Sequence, residues 1–214
     1  MSFGTKDVHG LQWPESDTDC MAVVFTRVVD LDVAYAYVTK WDMAIQAGGN
    51  CGVWPKAMAT KFGHVYTFEP ELMNYRCLQE NCQEPNITAF PFALGDDADY
   101  VSMTYPEGVR NLGACQVTPG GTIPVARIDD LHVSACDFIQ LDIEGYEVEA
   151  LSGGLETIRA FHPVIMVEDK GLSERYGHPR GWSESWLSDE GYRVVARPER
   201  DVILVYGGGD AIRN

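Results

Sequence analysis

Apolar residues along the chain gather into short compact runs, and most of these runs are followed by a longer segment with helical spacing. Met43 to Ala47 and His64 to Phe68 are two such runs, followed by helical patterns over Trp54 to Phe62 and Pro70 to Gln83. In the second helix Leu72, Tyr75, Leu78 and Cys82 fall near one face. Ile87 to Leu94 reads as strand or extended chain, Asp137 to Asp142 as a fourth buried strand, and Pro163 to Val167 as a fifth. Between the last two, Val148, Leu151, Leu155 and Ile158 recur at spacings of three and four, which predicts one helix over Glu147 to Phe161. Such alternation implies an α/β fold, a doubly wound parallel sheet with helices on both faces, because each crossover returns right-handed over the sheet. Tyr192 to Arg197 and Asp201 to Tyr206 flank Pro198-Glu199-Arg200 and read as a hairpin forming an antiparallel edge. Ahead of residue 43, Trp13-Pro14 reads as loop, Met21 to Thr26 as a short strand and Leu31 to Val38 as a helix; Trp182 and Trp186 share a further helix.

The length of 214 residues suits one domain. The spacing divides it into an N-terminal segment over 1–42 that packs on the core, a main domain over 43–206 and a flexible tail over 207–214 that begins with Gly207-Gly208-Gly209. Acidic residues number 32 against 16 basic, a formal charge of −16, which repels the phosphates that drive nucleic-acid binding, so no nucleic-acid partner is expected. The six cysteines contain no C-x-x-C pair and share no zinc-ligand spacing with the five histidines, so they read as reduced thiols and no metal site is expected. The polar start Met1-Ser2-Phe3-Gly4-Thr5-Lys6-Asp7 and the lack of any run of about 18 apolar residues predict a soluble cytoplasmic protein without a membrane partner.

Ligands of doubly wound sheets bind where strands end at their carboxyl termini, so the strand exits carry the chemistry. The first exit, Gln46-Ala47-Gly48-Gly49-Asn50-Cys51-Gly52, is a glycine-rich turn before a helix; it matches neither G-x-G-x-x-G nor the G-K-[ST] of a phosphate loop. At the second exit Glu69 follows Gly48 by 21 residues, where a carboxylate can accept two hydrogen bonds from ribose hydroxyls. Turn and acid together point to a nucleoside. A further exit ends at Asp96, and the fourth and fifth strands place Asp142, Glu144 and Glu147, then Glu168 and Asp169, beside the nucleoside. Glu147 also falls in a first helical turn, where an acid complements the helix dipole.

The motifs Ala44-Ile45-Gln46-Ala47-Gly48-Gly49-Asn50-Cys51-Gly52, Tyr66-Thr67-Phe68-Glu69-Pro70, Leu78-Gln79-Glu80-Asn81, Ala93-Leu94-Gly95-Asp96, Ile139-Gln140-Leu141-Asp142-Ile143-Glu144-Gly145-Tyr146-Glu147 and Pro163-Val164-Ile165-Met166-Val167-Glu168 run in order from about residue 43 to 170. This series resembles the FkbM family of S-adenosylmethionine-dependent methyltransferases. The resemblance implies the class I methyltransferase fold, a Rossmann-like seven-stranded sheet whose last strand is inserted antiparallel. It also implies S-adenosyl-L-methionine as cofactor, with Gly48, Asn50 and Gly52 cradling its methionine part, Glu69 its ribose and the Ala93 to Asp96 turn its adenine. Gln46, Gly49, Pro70, Leu94 and Asp142 are counted with them as cofactor-binding positions. One departure is that the family usually has aspartate where this chain has Gln46, which keeps a hydrogen bond and loses a charge.

Family members typically methylate hydroxyl oxygens of sugars or small metabolites, so the resemblance implies O-methylation of a small-molecule or glycan hydroxyl. Asp142 is expected at the methyl-transfer end, with Glu144 or Glu168 binding the acceptor hydroxyl or acting as base. Asn111, Glu144 and Glu147 are the acceptor-binding candidates. A divalent ion held by Asp142 and Glu168 is a lesser alternative, since hard oxygen ligands suit magnesium. A nucleic-acid amino methyltransferase is disfavoured by the charge and by the absence of an Asp/Asn-Pro-Pro-aromatic motif. Gln46 keeps a non-catalytic cofactor-binding protein in play. A homo-oligomer is compatible with all of these readings.

Overall fold

The computed structural model describes residues 4–106 and 111–207; of the expected tail, 208–214 lie outside the described residues, as do Met1, Ser2 and Phe3 of the polar start. The chain opens with β1 (Thr5–Val8), β2 (Leu11–Pro14), α1 (Cys20–Arg27) and α2 (Leu31–Tyr35). Alternation then begins with β3 (Met43–Ala47), α3 (Val53–Ala59), β4 (His64–Phe68), α4 (Leu72–Asn81) and β5 (Ile87–Phe90). Four short strands follow, β6 (Ala93–Leu94), β7 (Tyr100–Thr104), β8 (Gln116–Pro119) and β9 (Ile123–Ala126). The last part contains β10 (Phe138–Leu141), α5 (Glu147–Ser152), α6 (Leu155–Phe161), β11 (Val164–Glu168), α7 (Trp182–Asp189), β12 (Tyr192–Ala196) and β13 (Asp201–Tyr206).

The main sheet has seven strands in the order β12-β13-β11-β10-β3-β4-β5. β3, β4, β5, β10 and β11 pair in parallel, while β13 is antiparallel to both of its neighbours. The final strand is therefore wedged inside the sheet and β12 forms the edge. The β12–β13 hairpin thus forms the antiparallel edge expected from the sequence, with the last strand inserted as the family resemblance implies. The central strands are covered on both faces and so read as continuous apolar runs. One face packs against α1 to α4 through Val24, Leu31, Met58 and Cys77, with Phe62 stacked on Phe138 at 5.8 Å between ring centroids. The other packs against α5 to α7 through Leu151, Ile158 and Leu187.

Several local expectations give way to tertiary contacts. Met21 to Thr26 lies within α1 and not a strand; buried Asp17 accepts the Cys20 amide at 3.0 Å, and Cys20 and Val24 bury one helical stripe. Trp13-Pro14 belongs to strand β2, with Trp13 fully buried. Ile87 to Leu94 splits at Pro91, which cannot donate to a ladder: β5 joins the main sheet and β6 joins the second sheet, ordered β6-β9-β7-β8. The single helix expected over Glu147 to Phe161 breaks into α5 and α6 at Gly153-Gly154. A Cβ on Gly153 would sit 1.9 Å from the Gly95 carbonyl oxygen, so the turn after β6 packs directly on the end of α5. Among the described residues no helix is long and apolar enough to cross a membrane, and all six cysteines are free.

The Gly153 contact is testable. Gly153→Ala overpacks a backbone contact and is expected to cost about 2 kcal/mol in urea unfolding; wild-type stability would show that α5 and the Gly95 turn can separate freely.

Candidate active site

The turn after β3 is shaped by what lies against it. Gly48 has φ +84°, and a Cβ there would meet the Asp142 carbonyl oxygen at 1.9 Å, so only glycine lets the turn cross the tip of β10. The Gly48 and Gly49 amides both donate to the Phe68 carbonyl at 3.0 Å. Asn50, at φ +47°, accepts the Cys51 amide on its own Oδ1 and donates from Nδ2 to Cys20 Sγ at 3.2 Å. From the end of β4, Glu69 accepts the Asn50 amide at 2.7 Å and the Glu71 amide at 2.8 Å. Burial pushes the Glu69 carboxyl up to about 8, against those two amides, which pull it down.

These groups open onto a cleft that is partly open to solvent. The cleft lies where strand order reverses between β3 and β10, the usual binding crevice of such sheets. Phe68, Phe92, Leu94 and Met103 give it an apolar end. The other end is acidic. Asp142, Glu144 and Glu168 place carboxylate oxygens all within 4.8 Å of one another, close enough to grip a cation. Lys170 Nζ stands 3.0 Å from Glu144 and 2.7 Å from Glu168. Burial, the neighbouring Asp142 charge and a hydrogen bond to Asp142 hold Glu168 far above the usual carboxylate range, while Lys170 pulls it down. The surrounding acids raise the Lys170 ammonium well above its ordinary value, against burial, which lowers it.

The N-terminal segment supplies part of the wall. α1 contributes Cys20, Val23, Val24 and Arg27. Arg27 pairs with Asp30 at 3.0 Å and also with Glu199 and Asp201, tying α1 to the turn between β12 and β13. Asp201 is itself buried, and that burial raises its carboxyl to about 7, with Asp142 adding to the rise and Arg27 opposing it.

Ten of the expected site residues line this one cleft: Gly48, Asn50, Glu69, Pro70, Ala93, Leu94, Asn111, Asp142, Glu144 and Glu168. Four do not. Gly49 and Gly52 sit behind the turn, against Leu78 and Cys82 respectively. Gln46 is fully buried, accepts the Thr67 hydroxyl and leaves Nε2 without a partner among the described residues. Glu147 is buried under the Asp142–Glu147 loop, where it accepts the Ile143 amide at 3.1 Å and the Gly145 amide at 3.2 Å, so its carboxylate holds the loop that carries Glu144. Lys170, Arg27, Arg200 and Asp201 also line the cleft and had no place in the sequence-based list. Of these, Lys170 alone had a local signal, two residues after Glu168 at a strand exit.

The apolar end, the buried Glu69 beside a glycine turn and the acid-rich end together fit a nucleoside with a positively charged sulfonium tail, the group that the family resemblance implies. A family model described as the methyltransferase FkbM domain matches residues 46–194. The hexuronic acid methyltransferase AglP of Haloferax volcanii is 25% identical over 174 residues, covering 78% of this chain and 69% of that protein. Among solved structures, methyltransferase FkbM from Methylobacillus flagellatus KT matches with a TM-score of 0.55 at 19% identity, over 80% of this chain and 45% of that one. This chain thus spans under half the length of that structure. The N-methyltransferase NodS of Bradyrhizobium japonicum WM9, solved with S-adenosyl-L-homocysteine, matches with a TM-score of 0.51 at 10% identity, over 88% and 87% of the two chains. At these identities the two structures speak for the fold alone.

The Glu168 environment predicts a pH dependence. A glutamate with a raised folded-state pKa binds its proton more tightly when folded, so its contribution to stability is complete below the unfolded value of 4.5 and is lost as pH rises through the folded one. Wild-type stability is therefore expected to fall, relative to Glu168→Gln, as pH rises above about 5. Urea melts of both proteins at stepped pH check this, and parallel curves would contradict it.

Proposed function

The chain belongs to the methyltransferase FkbM domain family, and on that premise we propose that it moves a methyl group from S-adenosylmethionine to a hydroxyl oxygen of a sugar or another small acceptor. The observation that carries this reading is one cleft with a glycine turn and Glu69 along one side and the clustered carboxylates of Asp142, Glu144 and Glu168 at its far end. The hexuronic acid relative supports a sugar as acceptor.

Bound in the cleft, the cofactor supplies an electrophilic methyl on a sulfonium. Gly48 and Asn50 hold the methionine part, Glu69 accepts from the ribose hydroxyls, and Ala93 and Leu94 wall the adenine. Gly49, Gly52 and Pro70 shape the two turns, and Gln46 braces them from the sheet through Thr67. The acid-rich end favours the positive sulfonium and holds the acceptor in line with it, and orientation of this kind can remove several kcal/mol from a barrier.

Asp142 and Glu168 act together as the proton acceptor. Their carboxylate oxygens lie within 4.8 Å of each other, and burial together with the Asp142 charge raises Glu168. With the methyl donor bound, this pair would receive the hydroxyl proton that the acceptor loses on methylation. Lys170 keeps Glu144 and Glu168 together and balances their charge. Glu144 and Asn111 position the acceptor, while Glu147 acts through the loop it fastens. The methyltransferase domain spans 43–206, and the segment over 1–42 closes the acceptor end through Arg27.

Incubation with radiolabelled S-adenosylmethionine and separated small-molecule, glycan and nucleic-acid fractions tests the reading. Label is expected in a sugar fraction and should survive mild alkali, as an ether does. Label only in nucleic acid, or label released by alkali as from a carboxyl ester, would contradict it. On an acceptor found this way, Asp142→Asn is expected to lower kcat by about 100-fold; undiminished turnover would remove Asp142 from the chemistry. Glu69→Gln replaces one acceptor oxygen with a donor and should weaken S-adenosylhomocysteine binding by roughly tenfold in calorimetry, whereas unchanged affinity would detach Glu69 from the ribose.

A further inference from the structure

Three cations line the cleft, Arg27, Lys170 and Arg200. Arg27 is spent on Asp30, Glu199 and Asp201, and Lys170 on Glu144 and Glu168. Arg200 is different: among the described residues it is the cleft-lining cation in no ion pair, and its side chain is exposed.

The backbone under Arg200 is nevertheless held firmly. Its carbonyl accepts the Asp169 amide at 2.8 Å, and the next amide, Asp201, donates to Pro198 at 2.8 Å. Glu199 on one side and Asp201 on the other are both gripped by Arg27. Glu199 stands at φ +40°, a conformation unfavourable for a residue with a side chain, and the Arg27 contact helps to hold it there. A strained turn clamped on both sides thus presents one unpaired guanidinium to the cleft. The acids flanking Arg200 pair with Arg27, and neither forms an ion pair with Arg200 itself.

We propose that Arg200 is a specificity residue that binds an oxyanion on the acceptor, so that the substrate class is a sugar bearing a carboxylate or a phosphate. The guanidinium fork matches either oxyanion bidentately. In a cleft that otherwise presents acids, an anionic acceptor fits only with its charge at Arg200, which fixes which end of the sugar faces Asp142 and Glu168. This inference rests on the sugar-acceptor reading above and adds the charge and orientation of the acceptor.

The test is calorimetry on the whole chain, loaded with S-adenosylhomocysteine, using three probes: methyl β-D-glucuronide, glucose 6-phosphate and methyl β-D-glucoside. At least one anionic probe is expected to bind roughly tenfold tighter than the neutral glucoside, and which of the two does so identifies the oxyanion. Arg200→Gln should bring that probe down to the neutral level, Arg200→Lys should retain part of the preference, and added salt should shrink it. Equal binding of all three probes, no binding of any, or a preference that survives in Arg200→Gln would overturn the proposal while leaving the methyltransferase reading intact. Failure of S-adenosylhomocysteine to bind in the first titration would instead overturn that reading and this inference with it.

Discussion

Three carboxylates meet at the carboxyl end of a buried parallel sheet, two of them paired with one ammonium, and the site is arranged around that imbalance. Glu144 and Glu168 are both raised by burial and by the nearby Asp142 charge. Lys170 relieves part of the repulsion, and protonation of Glu168 relieves more. The result is an end of the cleft that carries residual negative charge and a glutamate that holds its proton well above the usual range. Both properties suit a ligand with a positive centre and an acceptor that must lose a proton.

Backbone constraints bring the acids to this spot. β3 and β10 lie side by side in parallel, so the turn after β3 and the loop after β10 emerge together. Gly48 lets the turn lie flush over Asp142, and Glu147 ties down the loop between them from beneath. On the opposite wall Arg27 fastens α1 to the β12–β13 turn, so the N-terminal segment becomes part of the cleft.

Much of this was legible in the sequence because topology did the positioning. Met43 to Ala47 and His64 to Phe68 match β3 and β4 to the residue, since strands inside a covered sheet read as mostly apolar runs. Acids at strand exits then had to meet in one crevice, and Glu69, Asp142, Glu144 and Glu168 do. Other parts depended on contacts that no local pattern encodes. The second sheet is built from strands of two to five residues with mixed polarity, too short to show a period. The helical period runs through Gly153-Gly154 without interruption, yet the close approach of Gly95 breaks the helix there. Arg27 pairs with residues more than 170 positions away, a relation visible only once β13 is wedged beside β11.

The raised Glu168 carboxyl is the centre of this account, and carboxyl NMR of protein labelled with ¹³C at the glutamate side chains observes it directly. The account predicts a carboxyl that titrates far above the ordinary glutamate range, disappears in Glu168→Gln and moves higher when Lys170 is replaced by methionine. A Glu168 signal that titrates with the exposed glutamates, indifferent to Lys170, would contradict it.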